Sequence, residues 1–388
     1  MLSIMPNPDL LVEKDDKPNW NLPDERRWSF HNLAMIARYG LTMRSSHVLT
    51  LSKTIDRRIG NLNSVRLITG MSSFSALVVV REQSVLFEEY ATDFGPNQPH
   101  SMQSISKTPM HLVFSRLIAD GLVDPKATVS TYLPEVSSGY ADATVQDVLD
   151  MSVNNNFNED YEDPYTADLN TGSTMGYNTE EIAMGWRLPP PGEKEFGCRA
   201  FAAALVSDDV FNKTGETLYK STNTDILAWI AERLTGKSLR EMLVEIVNAA
   251  GIEGVYHIGT DCDGVPIIAG GASMTARDMA RYGLLFARQG LGIHGETVGD
   301  KSYMEASRND RGTQCGDPYN WVRYSNQTFT NGRWVGHLGF GGQVLMADPD
   351  TQTVISFFSV LESRHADDET YFGEVISMGE DILELVAQ

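Results

Sequence analysis

Residues 74–120 read FSALVVVREQSVLFEEYATDFGPNQPHSMQSISKTPMHLVFSRLIAD, and the periodicity changes within them. Phe74–Val80 and Val85–Tyr90 are rich in β-branched and aromatic residues and are separated by the polar REQS, which predicts a hairpin. From about Pro109 to Ala119 the apolar residues Met110, Val113, Phe114, Leu117 and Ile118 recur at three and four, the period of a helix. Gly121 supplies the stop. Between hairpin and helix lies Ser104-Ile-Ser-Lys107.

Downstream of this stretch the pattern stays helical for most of the chain. Val145–Met151, Asp225–Leu234 (ending at Gly236), Ser238–Asn248 and Met274–Gln289 are expected helices, the last with Thr275 and Asp278 as a capping box. Residues 152–200, rich in Asn, Asp, Gly, Thr and Pro, form a long irregular segment, and long loops in compact proteins are often functional. After Trp334 strands return, at Val344–Ala347 and Val354–Val360, joined by the turn signal Asp348-Pro349-Asp350. A final helix is expected over Glu369–Val386. Residues 1–27 are polar and read as an arm over the surface.

Strands therefore sit at both ends of the sequence and helices in the middle. The expected class is α/β (α+β): one antiparallel sheet built from both ends and flanked by helices, with a helical lobe inserted. We place an α/β lobe over 20–103 and 265–388. The mostly helical lobe, with its active-site loop, spans 104–264. Two lobes also suit a chain of 388 residues, longer than the roughly 250–300 at which one core stops growing.

The formal net charge of −21 disfavours nucleic acid and anionic membrane as partners, because phosphates need Lys and Arg. Its plainest consequence is solubility. Cys198, Cys262 and Cys315 are scattered, with no metal or disulfide pattern. Asp261-Cys-Asp263-Gly resembles the start of a calcium loop, but Ala272 stands where the bidentate Glu belongs. No metal or cofactor is expected. The chain start carries no secretory pattern and no apolar window is long enough to span a bilayer, so a cytoplasmic protein is expected. Monomer and homodimer are both compatible with the sequence.

Three short segments carry chemistry. In Ser104-Ile-Ser-Lys107 a Ser and a Lys three apart share one helical face, near backbone N–H groups that stabilise negative charge. A basic side chain within reach of the Ser oxygen activates it as a nucleophile. The alternative is an ordinary polar helix start. Tyr219-Lys-Ser221-Thr-Asn223 precedes the helix DILAWIAERLTG. Tyr219 becomes a base if a cation such as Lys107 holds its proton off, and otherwise the segment is a packed Tyr with a Ser or Asn cap. In His337-Leu-Gly339-Phe340-Gly-Gly, glycine beside a strand marks close backbone approach, and the Phe340 N–H pairs with that of Ser104 as an oxyanion hole, or the segment is a glycine bulge.

Ser-x-x-Lys, then Tyr with Ser and Asn, then His-x-Gly on a late strand is similar to the motif order of the penicillin-recognising serine hydrolases. These include class C β-lactamases and family VIII carboxylesterases. RRWSFHNL at Arg26–Leu33, TVQDVLDM at Thr144–Met151, NEDYEDP at Asn158–Pro164, YKSTNTDILAWIAERLTG at Tyr219–Gly236, GGASMTARDMARYG at Gly270–Gly283 and the late DPDTQTVI resemble the 6-aminohexanoate-dimer hydrolase branch most. The resemblance covers nearly the whole chain.

It implies a β-lactamase-like fold and a site in the cleft between the lobes. It makes Ser104 the acylated nucleophile, with Lys107 and Tyr219 relaying its proton. Phe340, Ser221, Asn223, His337 and Gly339 become supporting or oxyanion residues, and Tyr161, Glu181 and Trp186 substrate-binding ones. Tyr161 matches a loop Tyr that closes over amide substrates, and Glu181, five before Trp186, the acid that takes the substrate amine.

Three departures matter. Ser221 stands where class C enzymes place an Asn. His337 stands where β-lactamases carry the Lys of Lys-Thr-Gly, so a cation suited to a β-lactam carboxylate is missing. A third concerns the helix start, where Thr108-Pro109 reads as N-cap and first helical residue.

The implied function is a serine hydrolase of small amides or esters. The alternatives are a promiscuous carboxylesterase with weak β-lactamase activity, and a non-catalytic penicillin-binding-type sensor. The presence of Ser104, Lys107 and Tyr219 together argues against the sensor.

Overall fold

The computed structural model describes residues 19–159, 176–207, 217–316, 319–363, 366 and 368–388. Along the chain, the strands among the described residues are β1 (Tyr39–Met43), β2 (Ser52–Lys53), β3 (Phe74–Arg81), β4 (Ser84–Tyr90), β5 (His100–Ser101), β6 (Tyr256–Thr260), β7 (Ala272–Met274), β8 (Thr313–Gln314), β9 (Arg323–Ser325), β10 (Thr328–Thr330), β11 (Val335–Gly339), β12 (Gln343–Asp348) and β13 (Thr353–Ser359). Nine of them form one sheet in the order β2-β4-β3-β13-β12-β11-β10-β9-β8. The first hairpin lies beside the last strands, with Val78 opposite Ser356 in an antiparallel pair. A sheet built from both ends of the chain is what the sequence predicts.

The run FSALVVV is continuously buried, and apolar but for Ser75, because both faces of the sheet are covered. Ala76, Val78 and Val80 join Leu345, Ala347 and Val354 on the face packed by the helix Ala276–Ala287. Leu77 and Val79 join Val344, Met346, Ile355 and Phe357 on the face packed by the terminal helix Glu369–Ala387. Each covering helix approaches closely at a glycine. A β-carbon on Gly283 would overlap Val354 Cγ1, and one on Gly379 would overlap Met346 Sδ.

The middle of the chain supplies Pro109–Ala119, Val145–Leu149, Thr222–Thr235 and Leu239–Ala250, whose apolar faces share the larger core. Two ends are set by reciprocal capping boxes, Thr144 with Asp147 and Ser238 with Glu241. Thr275 also caps, but Asp278 does not reciprocate to the cap backbone. Its carboxylate serves Arg281 and the backbone N–H groups of Glu253 and Gly254.

The structure corrects the described part of the expected arm, and residues 1–18 lie outside the described residues. Pro23–His31 is a helix, and Trp20 and Arg26 are fully buried. A second sheet, in the order β1-β6-β7-β5, was not anticipated, and Met274 belongs to its β7 rather than to the following helix. Pairing of Ser101 with Ser273, continued by the Met102 N–H to Ala272 O bond at 2.9 Å, delivers the chain to Ser104.

Candidate active site

Gln103–Lys107 is a 3-10 turn that runs straight into the helix Pro109–Ala119. Pro109 has no N–H to give to an α-helical bond, so the turn ahead of it is wound tighter. Thr108 is helical itself (φ −64°, ψ −21°) and its hydroxyl donates to Ile105 O at 2.7 Å. It is therefore not the N-cap that local rules predict. In a 3-10 turn residues three apart eclipse one another. Lys107 Nζ consequently lies 3.0 Å from Ser104 Oγ and also donates to Ala269 O at 2.5 Å.

Lys107 is completely buried. Burial lowers its pKa, while the carboxylates of Glu159, Glu180 and Asp225 oppose that shift. Ser104 is only partly covered and so stays open to a substrate. Just before it, Gln103 has a left-handed backbone (φ 48°), held by its own side chain, which donates to Ser101 Oγ at 2.8 Å.

The Tyr219 ring centroid lies 5.0 Å from Lys107 Nζ. Tyr324 and His337 flank the same ring at 5.8 and 6.2 Å. His337 Nδ1 faces Leu338 O at 2.6 Å, so it carries the proton, and Nε2 is left to accept from the Tyr324 hydroxyl at 3.3 Å. Burial, reinforced by Lys107, pushes its pKa down to about 3, so the ring is neutral. The position that holds a cation in β-lactamases therefore holds none here.

Beside it, Gly339 pairs with Gln343 in the β11–β12 ladder, and a β-carbon on Gly339 would lie 2.6 Å from Met102 O. Only glycine lets β11 come this close to the segment that leads into Ser104. Phe340 follows at once, its carbonyl held by Gln343 Nε2 at 3.1 Å.

Ser221 opens the helix Thr222–Thr235, and its hydroxyl donates to Glu159 at 2.7 Å. Glu159 also takes the Ser221 N–H, so a carboxylate from the long loop caps this helix. Lys220 ties down the same loop through Asn155 O at 2.8 Å and Phe157 O at 2.6 Å. Asn223 is turned elsewhere. It accepts from the Tyr140 hydroxyl at 2.6 Å and points its amide at Met151 Sδ, which makes it part of the helical scaffold.

Trp186 is buried edge-on to Trp20, ring centroids 4.8 Å apart, against Gly270. It thus backs the Ala269 carbonyl that fixes Lys107. Glu181, expected to bind a substrate amine, accepts from Arg187 at 2.9 and 2.6 Å. Its neighbour Glu180 is one of three acids, with Glu159 and Asp225, within electrostatic reach of Lys107. Glu180 is 1% exposed, and neither of its oxygens has a hydrogen-bond partner among the described residues. Burial pushes its pKa well up, and Asp225 nearby is raised to about 8 for the same reason.

Sequence reasoning missed Glu180, Asp225 and the Ala269 carbonyl, none of which carries a local signal. Tyr161 lies outside the described residues. No group of three or more His, Cys, Asp or Glu suited to a metal occurs among the described residues, and no helix there is long and apolar enough to cross a membrane.

The beta-lactamase family model matches residues 66–374. The 6-aminohexanoate-dimer hydrolase of Paenarthrobacter ureafaciens is 30% identical over 352 residues, covering 87% of this chain and 86% of that protein. A structure from Bacillus anthracis, assigned as a 6-aminohexanoate-dimer hydrolase, superposes with a TM-score of 0.80 at 22% identity, over 99% of this chain and 100% of that one. A family VIII carboxylesterase superposes at 0.53 and 14% identity, over 83% and 96%. The two structural likenesses bear on fold alone. With the family match running from ahead of the first hairpin into the last helix, the chain belongs to the beta-lactamase family.

Proposed function

We propose that this protein is a serine hydrolase that cleaves small linear amides or esters through an acyl-enzyme on Ser104. One observation carries the reading: a completely buried lysine amine 3.0 Å from the oxygen of a partly exposed serine. Burial disfavours the ammonium form, so the Lys107–Tyr219 pair relays the serine proton as Oγ attacks the carbonyl carbon. The developing oxyanion sits between the N–H groups of Ser104 and Phe340. The relay then returns the proton to the departing amine or alkoxide, and water releases the acyl group by the reverse path. A molecule that only bound or sensed a ligand would not need this arrangement.

The relative from Paenarthrobacter is named for an amide substrate, and Glu180 favours the same chemistry here. A buried, unpartnered carboxyl is stabilised by an incoming ammonium through a charge-assisted hydrogen bond. We assign to Glu180 the amine-binding role first expected of Glu181. Esters are cleaved more easily, because no amine has to be protonated on leaving. The neutral His337 argues against β-lactams, whose carboxylate wants a cation.

Intact-mass spectrometry after treatment with a fluorophosphonate tests the central claim. One adduct is expected on the wild type and none on Ser104→Ala. Equal labelling of the variant overturns the assignment. Turnover of p-nitrophenyl esters, aminohexanoate oligomers and a chromogenic cephalosporin then ranks the substrates, and a best rate on the cephalosporin overturns the argument from His337.

A further inference from the structure

The helix Pro23–His31 and the residues just before it sit against both halves of the catalytic machinery. On one side Arg26 is fully buried and holds four acceptors: Asn21 Oδ1 at 2.8 Å, Asn21 O at 2.7 Å, Leu361 O at 2.6 Å and Ser363 O at 2.7 Å. The guanidinium carbon lies 5.6 Å from the centroid of the Phe340 ring. Phe30 packs on the same ring at 6.4 Å, and its edge fills the space a β-carbon on Gly341 would need. The Leu361 N–H donates to Gly341 O at 3.0 Å, and the Gly341 N–H donates to Ala366 O at 3.0 Å. Residues 339–342 are thus bordered by Leu361, Ala366 and the N-terminal helix, and Arg26 bonds to Leu361 and Ser363 while stacking on Phe340.

On the other side Trp20, 6.1 Å from Phe30, reaches Trp186, which lies against Gly270 beside the Ala269 carbonyl that anchors Lys107. Local packing alone does not require this geometry. A polar arm could cover the surface without burying an arginine, and a fully buried arginine is retained where its planar fork fixes several groups at once.

We infer that Arg26 is a positioning residue for the oxyanion hole: its stack on Phe340 and its bonds to 361–363 fix the Phe340 N–H. The N-terminal helix is then a brace for catalysis. This rests on the proposed role of the Phe340 N–H, so the test separates the two.

Two esters that differ only in carrying C=O or C=S are compared. Sulfur accepts hydrogen bonds weakly, so an oxyanion hole discriminates between them. Wild type should prefer the oxygen ester strongly. Arg26→Lys, which keeps the cation and loses the fork, should lower kcat/KM for the oxygen ester about tenfold per fluorophosphonate-labelled site. The thionoester should change by less than about twofold, and KM should hold. Phe30→Leu and Phe340→Leu, which keep the N–H and alter only the packing, should shift the ratio in the same direction. They carry the test if the arginine variant does not fold.

Equal slowing of both esters, or an unchanged rate per labelled site, overturns the role of Arg26. No discrimination by the wild type overturns the oxyanion assignment of Phe340, and the inference falls with it.

Discussion

Lys107 serves Ser104 because the backbone that carries both is a 3-10 turn, in which residues three apart eclipse. The proposed proton relay should then behave as one unit. Lys107→Ala and Tyr219→Phe should each lower kcat by at least about 10³-fold, and the double variant should be little worse than either single. Near-full kcat in Tyr219→Phe would remove Tyr219 from the relay. Adjacent acids should split in behaviour. Glu180→Gln should raise KM for an amine-bearing amide about tenfold and leave a neutral ester unchanged. Glu181→Gln instead removes the charge that pairs with Arg187 and should affect both substrates alike. Because the Glu180 pKa is raised, its carboxylate forms only as pH climbs. KM for the amine substrate should therefore fall with rising pH until the substrate amine itself deprotonates. An amine KM that rose over this range would exclude Glu180. Ser104, Lys107 and Tyr219 were legible in the sequence because their order and spacing are linear properties. Glu180 was not, since its role depends on what surrounds it.

At the scale of the element, the turn between β9 and β10 does more than join strands. Asn326 and Gln327 both have positive φ, 49° and 66°, and both are completely buried. Asn326 O accepts from His111, its N–H goes to Asp150 at 2.8 Å, and its side chain meets Gln146, Tyr303 and Ser307. Gln327 accepts from Thr224 at 2.7 Å and donates to the carbonyls of Val148 and Leu149. The tip pins the helices of the middle segment to the large sheet. Asn326→Ala should cost about 3 kcal/mol in denaturant unfolding, because several buried partners are orphaned at once. A loss below about 1 kcal/mol would mean water replaces the side chain. This hairpin was invisible in the sequence. Its strands are three residues long, too short to show a period, whereas the Phe74–Tyr90 hairpin and the Glu369–Ala387 helix announce themselves by length and pattern.

For the whole molecule the net charge of −21 sets a field that draws cations. Raising salt from about 0.01 to 0.2 M should lower kcat/KM for an amine-bearing substrate and leave a neutral ester unchanged. Equal salt effects on both would exclude steering. Stability should have a narrow pH optimum. His31 and His111 are pushed by burial down to about 4, so the folded state resists protonation, and stability is lost as pH falls below the unfolded histidine value of about 6.5. Asp150 and Asp225 are pushed up, to about 6 and about 8. The unfolded chain ionises them first, so each lowers stability as pH climbs from about 4 to its folded value. Asp225→Asn should raise Tm more at about pH 8.5 than at about pH 5. An equal or reversed effect would mean that the native pKa of Asp225 is not raised.

By itself the sequence determined the sheet from both ends and the helical middle, and it put forward the serine, lysine and tyrosine of the candidate site. All of these rest on period, spacing or order along the chain. Tertiary structure alone decided the rest. It put the N-terminal segment into the core, because burial of Trp20 and Arg26 depends on partners more than 150 residues away. It also set Glu180 and Glu181 in different surroundings. On the helix Tyr177–Ala183 successive residues point about 100° apart, so Glu181 pairs with Arg187 while Glu180 is buried without a hydrogen-bond partner among the described residues. The phase of that rotation is set by what the helix packs against, and linear sequence does not encode it locally.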